Sequence, residues 1–352
     1  MPRHAQRVIA AAIMAILVAV PSAAIALANF PGSNGQIAFQ RFDADGYWQI
    51  WVANPDLTHQ RQITDGDFGS GFAAWSPNGS RIAFQSDRSD PDITDGIEIQ
   101  DVFTMRPDGS DVRKLTGSIG FSGHPSYSPD GNWIVFDSDG GNYPAAMGIY
   151  IIPSDGSASP RRLTALVAPS LWQELARFSP DGSRIVYDEL RGGQVLSHRQ
   201  DGRLVAEQSA LFTIRVDGTD VRQITPWGLH AVDPDWSPDG KRLVFASQPT
   251  HIGDIGEVMV ADATGGQLRT IVNDHGLTGI GSDGAFIYSE SFNPVWSPDG
   301  RKILFAHASF TVAAGFEMGL QTVNPDGTGR AWVSSLRFEE HQPEWGTLPP
   351  LP

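Results

Sequence analysis

Several side chains that could do chemistry stand a few residues before a recurring aromatic residue. They are His124, Glu174, His230, Asp233, Asn293 and His341. Histidine and carboxylate groups bind divalent metal ions and can also transfer protons. The three histidines, His124, His230 and His341, could therefore hold a divalent metal. Their spacing fixes no ligand geometry, so the alternative is a polar, water-filled channel lined by hydrogen-bonded strand ends.

Familiar catalytic motifs do not accompany these side chains. The chain has no cysteine, which excludes disulfides, thiolate metal sites and cysteine nucleophiles. It also has no Gly-x-Ser-x-Gly sequence, the mark of a hydrolase nucleophile. Acidic stretches such as Asp43 to Gly46 do not continue into a calcium loop with its closing glutamate. We interpret them as turn caps.

The elements that must position these side chains come from a repeat. An aromatic residue, a Ser-Pro-Asp-Gly turn (Ser-Pro-Asn-Gly in the first copy) and an apolar strand recur at Trp75, Tyr127, Phe178, Trp236, Trp296 and, with only Gly346 after it, Trp345. These aromatic residues are 52, 51, 58, 60 and 49 positions apart. A period near ~50 is typical of a propeller blade of four short strands. Runs such as Ile82 to Phe84 are apolar on both faces, which indicates strands buried between neighbouring sheets.

Both ends of the chain carry half of this repeat. The run Ile37 to Phe39 has no Ser-Pro-Asp-Gly before it, and Trp345 has no strand after it. We expect one blade built from both ends, with His341 to Trp345 beside Gln36 to Phe39, which removes exposed sheet edges. The predicted fold is all-β: a six-bladed β-propeller of four-stranded antiparallel blades, the first closed by the C-terminal strand.

The full repeat unit is Ser-Pro-Asp-Gly-x-x-Ile-x-Phe, a third strand ending in Asp-Gly, and then Arg-x-Leu-Thr. It resembles the WD-like propeller repeats of the TolB family over nearly all of residues 35–345. It is also similar to the repeats of prolyl oligopeptidase-type enzymes and of some pectin-degrading lyases, a few of which use a histidine-ligated metal. The resemblance implies the fold rather than one function. TolB proteins carry a small α/β domain ahead of the propeller, and we expect none here.

The longest predicted connections follow second and fourth strands, which places them on one rim, where the innermost strands begin. Rim loops held on a rigid scaffold are common binding sites. Trp172 and Tyr288 lie in these connections and could anchor a peptide, stack on a sugar, or pack the loops onto the blades. The polar stretch Asp188 to Ser209 is the candidate for a mobile flap.

The N-terminus predicts export. Residues 1–28 have a basic start, an apolar run from Val8 to Val20 and a small-residue cleavage site at Ala26 to Ala28. Residues 29–352 then form a single propeller domain without a later membrane span. The formal net charge is −15, or −17 once Arg3 and Arg7 are removed, which argues against nucleic acid and anionic lipid as partners. We expect a monomer, secreted or in the periplasm or cell envelope.

Two functions follow from these features. The first is a non-catalytic module that binds a protein or peptide through the loop-rich face and needs no cofactor. The alternative is a metal-assisted polysaccharide lyase or hydrolase with its site at the channel mouth, where a divalent metal would be held by His124, His230 and His341.

Overall fold

A computed structural model describes most of the predicted propeller. The described residues are 31–90, 100–117, 120–141, 147–165, 171–191, 208–247, 256–273, 279–280, 286–311, 315–334 and 340–347. The predicted signal sequence, residues 1–28, lies outside them.

The described chain consists of strands and one short 3-10 turn, Trp227–Leu229. The strands of the first half are β1 (Asn34–Phe42), β2 (Trp48–Ala53), β3 (Arg61–Gln62), β4 (Ser70–Trp75), β5 (Ile82–Ser86), β6 (Asp101–Met105), β7 (Arg113–Lys114), β8 (Ser122–Tyr127), β9 (Trp133–Ser138), β10 (Gly148–Pro153), β11 (Arg161–Arg162), β12 (Leu171–Phe178) and β13 (Arg184–Arg191). Those of the second half are β14 (Gln208–Arg215), β15 (Arg222–Gln223), β16 (Ala231–Trp236), β17 (Arg242–Ser247), β18 (Glu257–Asp262), β19 (Arg269–Val272), β20 (Gly279–Ile280), β21 (Phe286–Trp296), β22 (Ile303–Thr311), β23 (Gly315–Val323), β24 (Ala331–Trp332) and β25 (His341–Thr347).

These strands form six antiparallel blades, as predicted. Blade one has the order β25-β1-β2-β3, and blades two to five are β4–β7, β8–β11, β12–β15 and β16–β19. Blade six is β21–β24, with the two-residue strand β20 added at its inner edge. The innermost strands β25, β4, β8, β12, β16 and β21 contact one another in that order, and β21 contacts β25. The array is therefore a closed ring.

Closure of the ring depends on the two ends of the chain, and this prediction is confirmed. Strand β25 pairs antiparallel with β1, with Ile37 opposite Trp345 and Ala38 opposite Glu344. Trp345 is buried in a cluster with Ile37, Phe292 and other apolar residues of blades six and one. The tryptophan thus fills the boundary between the last blade and the first, as Trp75 does between blades one and two.

The repeat turns are built by their own side chains. In the copy after Tyr127, the Ser128 hydroxyl donates to Asp130 Oδ1 at 2.5 Å, and the Gly131 N–H donates to the Ser128 carbonyl at 2.9 Å. Gly131 has φ +73°, which glycine adopts without a steric cost. Asp43 likewise caps its own turn, because its Oδ1 accepts the N–H groups of Asp45 and Tyr47.

The blades differ in height at the rim where the long connections lie. In blades two and five the second strand ends two residues after its buried phenylalanine, at Ser86 and Ser247. The hairpins of blades four and six continue to Arg191 and Thr311. Strand pairing therefore covers most of the connection predicted at 306–317 but only the two ends of the one predicted at 188–209. Residues 192–207, which make up most of the predicted flap, lie outside the described residues. At about 3.3 Å per residue, blade five lies between two taller neighbours.

The closing strand gives a direct test of this architecture. Trp345→Ala should lower the free energy of unfolding by about 3–5 kcal/mol, because it empties a buried aromatic site at the junction of the two chain ends. Trp332→Ala is the matched control, since Trp332 is 43% exposed on an outermost strand and its loss should cost less than about 1 kcal/mol. Denaturant unfolding followed by fluorescence measures both. Equal effects of the two substitutions would contradict closure through β25.

Candidate functional site

Each innermost strand carries a β-bulge three residues before its repeat aromatic. The residues at the bulges share a left-handed backbone, with φ from +52° to +64°, and are Phe72, His124, Leu175, Asp233, Asn293 and Gln342. The pairing register shifts at the same place in all six blades. Non-glycine residues rarely adopt this conformation, and bulges re-aim side chains next to functional sites. The repeat therefore places six residues with this left-handed backbone, one from each blade, around the axis.

The sequence-predicted residues lie in or beside this ring of bulges. His124, Asp233 and Asn293 occupy bulge positions, and all three are buried. Leu175 and Gln342 hold the equivalent positions in their strands, so the predicted Glu174 and His341 each lie one residue nearer the rim. His230 ends the 3-10 turn Trp227–Leu229 with φ +50°, three residues before Asp233.

The backbone N–H of a bulge residue donates a hydrogen bond to a side-chain oxygen of the preceding blade. Gln40 Oε1 accepts the Phe72 N–H at 2.9 Å, and Gln85 Oε1 accepts the His124 N–H at 2.8 Å. Asp137 Oδ1 accepts the Leu175 N–H at 3.3 Å. Each acceptor directly follows the buried aromatic of a second strand.

The acceptor changes in the second half of the ring. Asp188 holds the same position in blade four, but Ala246 and Ala306 replace it in blades five and six. Asp233 then supplies the acceptor itself: its Oδ2 lies 3.3 Å from the Asn293 backbone N and 3.0 Å from Asn293 Nδ2. Sequence reasoning missed Asp137 and Asp188, although a polar residue after the Ile-x-Phe triplet was a visible signal.

His124 forms a buried dyad with Asp137. The Nδ1 atom of His124 lies 2.7 Å from Asp137 Oδ1, and the imidazole lies against the Phe72 ring at a centroid distance of 4.5 Å. A carboxylate on Nδ1 fixes the orientation of the imidazole and leaves Nε2 for proton transfer or for a ligand. This pair is the part of the site best suited to acid–base chemistry.

Carboxylates accumulate on the side of the axis formed by blades three to five. Asp188 pairs in register with Glu174, and both act electrostatically together with Asp137 and Asp233. Burial and the neighbouring charges of Glu174, Asp233 and Asp137 hold the pKa of Asp188 well above its usual range. Burial raises the pKa of Asp233 to about 7, against the opposing effect of hydrogen bonds from Asn293 and the charge of Arg177. At neutral pH this region therefore holds bound protons.

One buried cation, Arg177, lies closer to the face formed by the Ser-Pro-Asp-Gly turns, which we call the turn face. Arg177 is fully buried two residues beyond the bulge of its strand. Burial lowers its pKa to about 10, while Glu344 on the opposite blade, Asp235 and Asp233 oppose that shift. Arg177 stays charged at neutral pH. Its Nη1 donates to the carbonyl of Ala176 at 3.2 Å, and within the described ranges its Nε and Nη2 have no hydrogen-bond partner.

The turn-face end of the axis is crossed by the first described residues. The Gly32 N–H donates to the Pro298 carbonyl at 3.2 Å, and the Asp299 N–H donates to Asn34 Oδ1 at 3.2 Å. Pro31 reaches the turns of blades four and five, where it lines a cavity of about 570 Å³ with Pro180, Pro238 and Trp236 among others. The polar groups near the bulges lie toward the opposite, loop-rich rim.

The aromatic residues at the rim have separate environments. The His341 ring meets Trp48 edge-on at a centroid distance of 4.1 Å, and burial lowers the pKa of His341 to about 3, so it is neutral. Trp48 stacks on Phe42, which is 38% exposed. Trp172 is half-buried in β12. The backbone of Tyr288 pairs with Phe310 in blade six, and its side chain lies outside the described part.

The three histidines predicted as metal ligands lie on different blades: His341 on blade one, His124 on blade three and His230 at the entrance to blade five. Across the described ranges, no three histidine, aspartate or glutamate side chains are grouped so that they could hold a metal ion. The polar site of the described axis consists instead of the His124–Asp137 dyad, the carboxylates near Asp188 and the buried Arg177.

Comparison with known proteins supports the fold most strongly. No protein-family model matches the chain. TolB from Acinetobacter baumannii superimposes with a TM-score of 0.65 at 19% identity, over 98% of this chain and 72% of that one. A putative TolB from Agrobacterium tumefaciens gives 0.59 at 18% identity, over 88% and 92%. The fold is that of the TolB propeller. An oligogalacturonate lyase in complex with manganese gives 0.53 at 12% identity, over 86% and 74%, so the shared fold does not select a function.

Two curated relatives match part of the sequence. The chain is 26% identical over 207 residues to the uncharacterized peptidase YuxL of Bacillus subtilis, across 58% of this chain and 26% of that protein. It is 26% identical over 175 residues to the uncharacterized protein Atu1656 of Agrobacterium fabrum, across 49% and 52%. The chain thus spans only part of the length of each relative.

In the ranges that the structure describes, no helix has the length and hydrophobicity that a membrane crossing requires.

The raised pKa of Asp233 predicts an unusual pH dependence of stability. Between about pH 4 and pH 7 the folded protein keeps a proton on Asp233 that the unfolded chain releases, so the free energy of unfolding falls as pH rises through this window. Asp233→Asn should flatten that slope and stabilise the protein at pH 8 by on the order of 2 kcal/mol. Asparagine fits the site, because Asn293 occupies the equivalent bulge.

A matched control uses a carboxylate with the opposite shift. The Ser128 hydroxyl lowers the pKa of Asp130, so the stability that Asp130 contributes is present above the ordinary aspartate pKa and lost below it. Asp130→Asn should leave the slope between pH 5 and pH 8 unchanged, and Asn78 shows that asparagine suits this turn. Urea unfolding at several pH values measures both. A slope that Asp233→Asn leaves intact would place the titrating group elsewhere.

Proposed function

We propose that this chain is a secreted or periplasmic propeller that binds a protein or peptide through its loop-rich face, without catalysis. One observation carries the proposal. Every connection that is not a short turn joins a second strand to a third, or a fourth strand to the next blade, so both of its ends lie at one rim. The other face consists of short turns of repeated design.

The shape of the rim supports recognition of an extended segment. The hairpins of blades four and six stand above blade five, so the described strands form two walls with a lower region between them. Paired strands hold these walls rigidly, which limits the conformational entropy lost when a partner binds. Arg191 stacks over Trp227 at 3.5 Å on the wall of blade four. Aromatic and arginine side chains of this kind are frequent anchors in interfaces.

Localisation and oligomeric state are part of the same proposal. The basic and apolar N-terminal sequence supports export. The closed ring leaves no inner sheet edge that would require a second copy, which supports a monomer. The acidic net charge of −15 disfavours nucleic acid as partner.

The proposed binding role predicts that a shorter connection between β13 and β14 weakens binding of a partner. Replacing residues 192–207 with Gly-Gly, to join β13 directly to β14, should weaken co-purification of a partner from the source cells by at least about tenfold, because it removes the longest connection of the loop-rich rim. Trp133→Ser is the control, since Trp133 is 41% exposed at the start of β9, beside the turn face. Quantitative mass spectrometry of material captured by residues 29–352 provides the measurement. Loss of the partner with Trp133→Ser but not with the shortened hairpin would place recognition on the turn face.

A metal-assisted lyase or hydrolase is the second candidate. The His124–Asp137 dyad supports it, because it holds an imidazole near the channel mouth with its Nδ1 on a carboxylate. The likeness to an oligogalacturonate lyase in complex with manganese adds support at the level of fold. His230 and His341 would have to complete the ligand set.

Metal content distinguishes the two candidates. If the chain is a binding module, the purified protein should contain less than about 0.1 equivalent of manganese, zinc or calcium, and these ions should not raise its melting temperature. Elemental analysis and thermal unfolding measure this, with His124→Gln as the comparison. A bound metal that is lost in His124→Gln, together with cleavage of oligogalacturonate, would establish the enzyme instead.

A further inference from the structure

Two arginines clamp a surface aspartate on blade two. Arg81 Nη1 donates to Asp111 Oδ2 at 2.9 Å, and Arg81 Nη2 donates to the backbone carbonyl of Asp111 at 2.9 Å. Arg113 donates through Nε to Oδ1 and through Nη2 to Oδ2 of the same carboxylate, each at 2.9 Å. Guanidinium groups are suited to such bidentate contacts with a carboxylate. The pair thus recognises both the side chain and the carbonyl of one aspartate.

Blade four repeats this clamp around Asp220. Arg184 donates to Asp220 Oδ2 at 2.8 Å and to its carbonyl at 2.7 Å, and Arg222 contacts Oδ1 at 2.9 Å and Oδ2 at 2.8 Å. Asp111 and Asp220 have the same left-handed backbone, with φ +54° and +55°. In both blades the first arginine stands immediately before the apolar triplet of the second strand, and the aspartate stands two residues before the second arginine.

Blade five keeps both arginines but lacks the aspartate. Arg242 and Arg269 hold the two arginine positions, and Gln267, with φ +52°, holds the aspartate position. Arg269 turns to blade six, where its Nη2 donates to the Pro325 carbonyl at 2.6 Å. The Arg242 guanidinium lies over the Trp296 ring at 4.5 Å. Within the described chain it donates no hydrogen bond, and neither arginine forms an ion pair.

A cavity of about 520 Å³ lies at this corner of blade five. Its lining includes Arg242, Val260 and Asp262 together with the exposed Gln267, Leu268 and Arg269. A ligand can therefore reach it from solvent. Asp262 stands where Arg106 and Arg215 approach the clamped aspartates of blades two and four, at 3.8 Å and 3.4 Å. Its Oδ1 accepts the N–H groups of Thr264 and Gly266, so Asp262 caps its own hairpin.

One other acid lies within electrostatic range of Arg242. Asp239 is that residue, and its Oδ1 accepts the Ser237 hydroxyl and the Lys241 N–H of its own turn. Blade four has Asp181 in the equivalent turn, and its arginines bind Asp220 nonetheless. A turn aspartate beside the first arginine is therefore compatible with the clamp.

We propose that this cavity binds an aspartate residue of a partner protein, whose carboxylate and backbone carbonyl take the place that Asp111 and Asp220 fill on blades two and four. Arg242 would donate to both groups. Arg269 would exchange a neutral carbonyl for a carboxylate, which is the stronger acceptor. A carbonyl beside the carboxylate favours a polypeptide over a sugar acid, and Leu268 offers an apolar contact to the residue that follows. The inference goes beyond the proposed function, because this site lies on the turn face, away from the loop-rich rim.

One substitution lets the chain supply this ligand to itself. Gln267→Asp places the carboxylate of blades two and four on the same left-handed backbone, so it should occupy Arg242 and exclude the partner. The probe is acetyl-Gly-Thr-Asp-Val-amide, which copies residues 218–221, and the protein is residues 29–352. Titration followed by NMR of the arginine Nε–Hε signals should show binding that weakens at least tenfold in Gln267→Asp and in Arg242→Gln.

Two controls separate the clamp from general charge attraction. Lys302 holds the position of Arg242 on blade six, so Lys302→Gln removes one nearby positive charge and should leave the affinity within twofold. The peptide with asparagine in place of aspartate should bind at least tenfold more weakly. Replacing residues 192–207 with Gly-Gly should not change binding of the probe, so this inference and the proposed function can fail separately.

Several results would overturn the inference. Equal weakening by Lys302→Gln would show attraction to the positive charges of the turn face in general. Undiminished binding to Gln267→Asp, or a peptide that shifts no arginine signal, would exclude the clamp. Tighter binding of trigalacturonate, with the same dependence on Arg242, would assign the site to a sugar acid. Equal binding of acetyl-Gly-Thr-Asn-Val with a free carboxyl end would assign it to a chain terminus.

Discussion

The pairing of β25 with β1 is the constraint on which the rest of the molecule depends. An open row of six blades would leave one apolar face of the first blade and one of the last exposed to water. By placing Trp345 opposite Ile37, the chain buries both faces in a single interface between blades six and one. Closure also fixes the diameter of the ring, and with it the separation of the side chains that meet near the axis. The axial chemistry is thus a consequence of a contact made between residues more than 300 positions apart.

Inside the ring, the same bulge recurs six times with different side chains. The backbone geometry is constant, since each bulge residue has a left-handed φ, whereas the side chains range from Phe72 to His124 and Asp233. The second strand of the preceding blade supplies the acceptor for the bulge N–H of Phe72, His124, Leu175 and Asp233. For Asn293, where alanine has replaced that acceptor, Asp233 supplies it. A uniform scaffold therefore holds a strongly asymmetric charge distribution, with carboxylates on blades three to five. This asymmetry, rather than the fold, distinguishes the axis of this propeller.

The sequence predicted the fold in detail because its signals are local and repeated. The Ser-Pro-Asp-Gly turn, the buried triplet and the period near ~50 each point to the same blade, and two half-repeats predicted the closure. The side chains near the axis were harder to predict from the sequence. His124, Asp233 and Asn293 were identified from their sequence distance to the aromatic residue. A bulge adds one residue to the strand and so shifts its register, and the predicted Glu174 and His341 lie one residue away from the bulge positions. Asp188 was missed although its place directly after a buried triplet was visible, whereas Arg177 was missed because the sequence does not show that residues of different blades converge. The connection at 306–317 was predicted as a loop, but most of it is paired strand, which its polar and glycine-containing sequence hides.

The antiparallel pairing of the two chain ends has a mechanical consequence. Asn34 and Thr347 face each other at the turn-face end of β1 and β25, where β1 begins and β25 ends, and the paired strands extend from there to the rim. A force that pulls the N- and C-terminal ends apart would load one backbone hydrogen bond at a time, as in a zipper, instead of shearing the whole ladder at once. Tension would then open blade one from the turn face toward His341, and would reach the axial carboxylates only after that seam had parted.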